Sequence, residues 1–246
     1  MTMAGPVVDT SSAQEFQREI LGKVKPEELA AITADLDRKS AVMRGLVGPG
    51  APPLESAGLR QVLRLVFSTR RRADQILDII GPERLGSAVT DLLRAEDGPA
   101  RRIDRFDEAM ADAKDLGCFD LPGELLHFTY PGQYWLWTRW MWDPRTETGA
   151  LRLVVTDDFD LAEGATRGAV YLTVGQALAF VDQTGKAAGF TSAGPGLFGT
   201  DVFLAAVYGI YMYTVLRMRM TQEFNRVIPP LPDLVRRLLG VYHLEA

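Results

Sequence analysis

All four tryptophans of this 246-residue chain fall within eight consecutive positions of the stretch "PGQYWLWTRWMWDP", Pro131 to Pro144. In an extended conformation, Trp135, Trp137 and Met141 share one face, and Tyr134, Leu136, Trp140 and Trp142 share the other. In a helix, Trp135 and Trp142 lie on one side, with Trp137 and Trp140 nearly opposite. Neither geometry leaves a polar face for water. Whatever the fold, this segment has to be covered on two sides, by its own chain or by something else.

The residues before it read as helices. "KPEELAAITADLDRKSAVMRGL" places Pro26 and two glutamates at a helix start, where a fixed φ and negative charge are favoured, and brings Leu29, Ile32, Leu36 and Met43 near one face. "VGPGAPP", Val47 to Pro53, breaks the pattern. "ESAGLRQVLRLVF", "RRADQILDII", "GPERLGSAVTDLL" and "PARRIDRFDEAMADAKDLG" follow, each with apolar residues at helical spacing, and Gly81-Pro82 forms one of the tight junctions. Short amphipathic helices joined this way predict a helical region over 1–116.

From Gly117 the pattern changes. "ALRLVVTDD" alternates like a strand, "AVYLTV" is β-branched and aromatic, and "DPRTETG" is rich in turn formers, so a hairpin between the tryptophan segment and "ALRLVV" is expected. Thr173 and Gln176 have the spacing of a capping box, which predicts a helix from Val174. The glycine-rich "TGKAAGFTSAGPGLFG" leads to a long helix, Asp201 to Arg226, capped by Thr200 or Asp201. "IPPLP" stops that helix, and "DLVRRLLGVYHL" forms a last short one through Leu234, Leu238 and Leu239. The expected architecture is therefore α+β. A helical region, 1–116, precedes an α+β region, 117–246, with a small antiparallel sheet under the long helix, the two forming either separate regions or one continuous domain.

Composition excludes several function classes. A hydrophobic fraction of 47% with 24% charged residues is that of a globular chain. A net charge of −5 disfavours a surface built wholly for nucleic acid. Twenty-two of the 27 basic residues are arginines, a skew that GC-rich coding alone produces. Cys118 is the single cysteine, so neither an internal disulfide nor a thiolate metal cluster can form within one chain, and a reducing cytoplasm is the expected location. "MTMAGPVVDTSSAQ" lacks the basic and apolar regions of a secretory signal. The most apolar run, Val202 to Leu216, is 15 residues, short of the ~20 needed to span a bilayer.

Catalytic signatures are sparse. The only histidines are His127 and His243, which excludes a histidine-rich metal centre. "TDDFDLAE" offers Asp157, Asp158, Asp160 and Glu163, but Glu163 occupies the glycine position of an EF-hand loop, and a solvated acidic turn is the plainer reading. "TGKAAG" fails as a phosphate loop, with Phe180 where the first glycine is required and Ala187 in place of the metal-binding hydroxyl. No nucleophile elbow, metal ligand set or cofactor signature is read. Cys118 and His127 make only a weak pair, and a small buried thiol is far commoner.

The functional reading is a non-enzymatic cytoplasmic accessory protein that binds a protein partner through the tryptophan segment. Its site residues are His127, Tyr130, Tyr134, Trp135, Trp137, Arg139, Trp140 and Trp142, because Trp, Tyr and Arg dominate interface hot spots. The plainer reading of the same residues is core packing. A second copy of the chain is an alternative partner. One rival is an enzyme or small-ligand domain using an aromatic pocket with His127, Asp157, Asp158 and the glycine loop. Another is nucleic-acid binding through Arg70, Arg71 and Arg72, which needs those arginines and the tryptophans on one surface.

Overall fold

The computed structural model describes residues 6–189, 196–219 and 229–242, with side chains of 216–219 left aside. Ten α-helices occur among these residues. They are α1 (Thr10–Lys23), α2 (Pro26–Val47), α3 (Ser56–Leu65), α4 (Ala73–Ile80), α5 (Pro82–Arg94), α6 (Pro99–Ala109), α7 (Leu121–Thr129), α8 (Arg167–Ala188), α9 (Gly199–Arg219) and α10 (Leu231–Leu238). Two compact units are built from them. One comprises Met1–Leu36, Trp140–Asp160 and Ala177–Ala246, and the other Asp37–Arg139 and Leu161–Gln176.

The helical reading of the N-terminal half holds, and the starts follow the expected chemistry. Asp9 caps α1 by accepting the Ser12 amide at 3.1 Å and its hydroxyl at 2.6 Å. Pro26 opens α2, and the Glu28 carboxylate reaches back to the Lys25 amide at 3.1 Å. Gly81, at φ 80°, ends α4 and precedes Pro82 at the start of α5, a backbone state that strains any residue with a Cβ.

The expected antiparallel sheet is absent from the described residues, and the fold is predominantly helical instead of α+β. Only two isolated bridges occur, Val8 with Val155 and Asp143 with Thr148. "DPRTETG" does turn the chain back, with Asp143 N donating to Thr148 O at 2.8 Å. Two further backbone bonds follow, Ala150 N donating to the Trp140 carbonyl at 2.9 Å and Leu151 N to the Met141 carbonyl at 3.0 Å, but no ladder extends beyond them, because Ala150 takes helical dihedrals and Leu151–Leu153 winds into a 3-10 turn. In "ALRLVV" the buried residues are thus Ala150, Leu151, Val154 and Val155, the spacing of a turn and not the alternation of a strand.

"AVYLTV" is likewise helical. Val170, Tyr171, Val174, Ala177, Leu178 and Val181 are buried along α8, a stripe of period near 3.6 that a six-residue window cannot display. The capping box at Thr173 is also corrected. α8 begins at Arg167, Thr166 Oγ1 accepts the Ala169 amide at 3.2 Å, and the Thr173 hydroxyl instead donates to the Glu163 carbonyl at 2.7 Å. The first part of the expected glycine loop is the end of α8, and 190–195 lie outside the described residues. α9 starts at Gly199, which places Thr200 and Asp201 within its first turn, and the expected stretch 220–226 lies outside the described residues. No described helix is long and apolar enough to cross a membrane.

Candidate functional site

The tryptophan segment follows α7 and passes from one compact unit to the other between Arg139 and Trp140. It is neither strand nor helix. In the unit Asp37–Arg139 with Leu161–Gln176, α7 forms the wall behind it, and all nine residues of α7 are buried. Gly123 is what brings the two together. A Cβ at this position would sit 2.3 Å from the Trp137 carbonyl oxygen, so only glycine lets the segment's backbone lie against the helix.

Trp137 is 1% exposed. Its ring meets Phe119 edge-on at 5.1 Å between centroids and Tyr171 at 6.3 Å. The Arg167 guanidinium lies over Phe119 at 4.0 Å and over Trp137 at 5.5 Å, and donates to the Asp107 carboxylate and the Phe119 carbonyl. Burial pulls the Arg167 pKa down, and the Asp107, Asp120 and Asp104 carboxylates oppose that shift. The same burial raises Asp107. Gly168, beside Arg167, donates its amide to Asp104 at 2.7 Å, and α8 approaches so closely that a Cβ there would lie 1.9 Å from the Ala100 carbonyl.

Tyr134, Trp135 and His127 are fixed by polar contacts to the backbone. The His127 ring nitrogen Nδ1 lies 2.8 Å from the Tyr134 carbonyl, which assigns the proton to Nδ1, and His127 is 2% exposed. Tyr171 donates its hydroxyl to the Trp135 carbonyl at 3.1 Å, and burial holds its phenol protonated well above the ordinary range. Arg102 donates to the Tyr134 hydroxyl at 2.6 Å and to the Leu92 carbonyl at 2.7 Å. The Arg139 amide donates to Asp120 at 2.9 Å, and its guanidinium Nε lies 3.8 Å from the same carboxylate. Burial raises the Asp120 pKa against these donors.

Beneath the segment sits a pair that sequence reasoning missed. Lys39 Nζ and Glu124 Oε2 are 2.5 Å apart with side chains 0% and 3% exposed, and the ammonium lies 4.2 Å from the Phe128 ring centroid. Burial drives the Glu124 pKa up, and the Lys39 charge works against it. A signal existed. Lys39 occupies the buried stripe of α2 with Leu36, Ser40, Met43 and Val47, and Glu124 is the lone carboxylate of α7, a helix buried at every position.

In the other unit, Trp140 is 9% and Trp142 3% exposed. The Trp140 indole N–H donates to the Leu238 carbonyl at 3.1 Å, and its ring lies 6.2 Å from Tyr208. Gly149 again permits a close approach, since a Cβ would lie 2.3 Å from the Met141 carbonyl.

Of the eight expected site residues, His127, Trp137, Trp140 and Trp142 are buried, while Tyr130, Tyr134, Trp135 and Arg139 reach the surface in part. Tyr130 and Tyr134 meet edge-on at 6.1 Å. Trp135 lies over α8 at Gly175, where a Cβ would come within 3.2 Å of its ring, and Leu172 on α8 is 46% exposed. Asp157 pairs with Arg152 at 2.8 Å, His243 lies outside the described residues, and no cluster of metal-ligating side chains forms among the described ones. An open cleft beside α5, lined by Leu54, Gly86, Ser87 and Asp91 among others, contains none of the expected residues. No protein-family model, curated protein or solved structure matches the chain.

Proposed function

We propose that the chain is a non-enzymatic accessory protein that engages a protein partner through the outward part of the aromatic segment, Tyr130, Tyr134 and Trp135, with Leu172 beside it. The supporting observation is the division of the indoles. Trp137, Trp140 and Trp142 are under 10% exposed, whereas Trp135 stays partly open to solvent, as do Tyr130 and Tyr134. Tyr and Trp present large, stiff, amphipathic area, which is why they anchor interfaces. The buried charges support the same reading, because Asp120 accepts the Arg139 amide and Arg167 lies against the Trp137 ring, both of which hold the segment in place. A cytoplasmic setting fits a chain whose one cysteine is a buried free thiol.

The test is affinity purification of the full chain from its native host beside Trp135→Ala and Leu172→Arg. Binding of one stoichiometric protein that both variants lose, with melting temperature kept within a few degrees, supports the reading. Undiminished recovery of that protein by both variants contradicts it.

A further inference from the structure

The cation that stands apart is Arg102 and not the arginine run of the sequence, where the Arg70–Arg72 3-10 turn sends its side chains to different sides and Arg72 is held on the Asp115 carbonyl at 2.8 Å. Among the described residues, Lys39 and Arg102 are the buried lysine and arginine, Arg102 at 4% exposure. Lys39 faces the Glu124 carboxylate. Arg102 faces no carboxylate within ion-pair distance among the described residues. It donates instead to two neutral oxygens, the Leu92 carbonyl at 2.7 Å and the Tyr134 hydroxyl at 2.6 Å, and its Nε–H finds no acceptor among the described residues.

The acidic side chains of the neighbouring turns are committed elsewhere. Asp91 and Asp97 hold Arg105 at 2.8 and 2.7 Å, Asp104 accepts the Gly168 amide at 2.7 Å, and Asp107 pairs with Arg167. Leu92 lies in the last turn of α5, whose C-terminal carbonyls carry about half a negative charge and so balance the guanidinium only in part. A buried charge without its full counter-charge is costly, and an anion brought beside it relieves that cost. Tyr134 links this charge to the surface. Its ring lies 5.2 Å from the guanidinium carbon, and the residue is partly exposed. Because the phenol oxygen accepts from Arg102, its own hydrogen is left for another acceptor, and no described residue supplies one.

We propose that Arg102 and Tyr134 form a carboxylate-binding site, the Tyr134 hydroxyl donating to a carboxylate oxygen and the Arg102 guanidinium supplying the opposing charge behind it. The guanidinium polarises the phenol and makes it a stronger donor. One cation calls for one negative charge, which favours a carboxylate over a phosphate dianion. The carboxylate is an aspartate or glutamate of the protein partner of the aromatic segment, a source that rests on the function proposed above.

The experiment is a titration of the full chain, carrying isotope-labelled arginine, with sodium acetate against sodium chloride at equal ionic strength, followed through the Arg102 Nε–H resonance. Acetate is expected to move that resonance saturably in the millimolar range, and chloride is not. Tyr134→Phe should weaken acetate binding about tenfold, since the donor to a charged group is lost. Trp135→Ala should leave acetate binding unchanged while it abolishes capture of the protein partner, so failure of the docking surface and failure of this site are read separately. Tyr134→Phe should weaken that capture as well, which assigns the carboxylate to the partner, and capture untouched by it overturns the partner as the source. A resonance that acetate leaves in place, or that chloride moves as far, overturns the site itself, and this wild-type comparison needs no variant to fold.

Discussion

Gly123 of α7 and Trp137 meet backbone to backbone, with room for a hydrogen on the helix and for nothing larger. The contact makes the helix and the aromatic segment one packed layer, and it ties the most deeply buried indole to a residue without a side chain. Gly123→Ala has to push the segment away from α7. It should cost about 1–3 kcal/mol in urea unfolding, as overpacking does, with a red shift of the tryptophan emission. An unchanged midpoint and spectrum would mean that this contact constrains nothing.

The Lys39–Glu124 pair gives an opposite-sign test. Removing one charge leaves the other buried without compensation, so Lys39→Met and Glu124→Leu should each lose about 3–5 kcal/mol. The double variant should recover most of that loss, because two apolar side chains fill the same space without desolvated charge. Chemical denaturation of the four proteins of this cycle checks it, and additive losses in the double variant would contradict the account.

Cys118 is buried, and desolvation pushes its thiol up to about 11. It should resist an aromatic disulfide reagent at about pH 8 and react only on unfolding. Because the folded pKa lies above the unfolded value of 9.0, its contribution to stability is fully present below that value and is lost as pH rises from 9.0 through about 11. Cys118→Ala lacks this titration. The stability gap between wild type and variant should therefore shrink by about 2–3 kcal/mol over that window. Rapid native-state labelling at about pH 8 would refute the burial.

Arg167 acts as the stacked cation between Phe119 and Trp137, and its charge is balanced by Asp107. Arg167→Lys keeps the charge but loses the planar stack, so it should lower stability by about 1–3 kcal/mol and alter near-ultraviolet circular dichroism from Trp137. A silent substitution would show that charge alone suffices.

Helices α2 and α5 were legible because their periodicity runs over more than ten residues and each opens with proline and an acidic first turn. The strands were misread for the converse reason. "AVYLTV" is six residues of a 22-residue helix, and "ALRLVV" alternates across a 3-10 turn, so in each case a short window mimics period two. The need to cover the tryptophan segment on both sides was legible, whereas the identity of the cover was not, since α7 and α8 reach it through Gly123 and Gly175, residues that bear no packing signal of their own. Lys39 and Glu124 lie 85 positions apart, and only the fold reveals that each answers the other.

Three of the four indoles are sheltered by the chain itself, and Trp135 is the one proposed to meet a partner. Acrylamide quenching of wild type beside Trp135→Phe tests this most directly. The account predicts that wild type contains one accessible and three shielded emitters, and that the variant loses the accessible component with its melting temperature nearly kept. Quenching that is just as strong after Trp135 is replaced would contradict it.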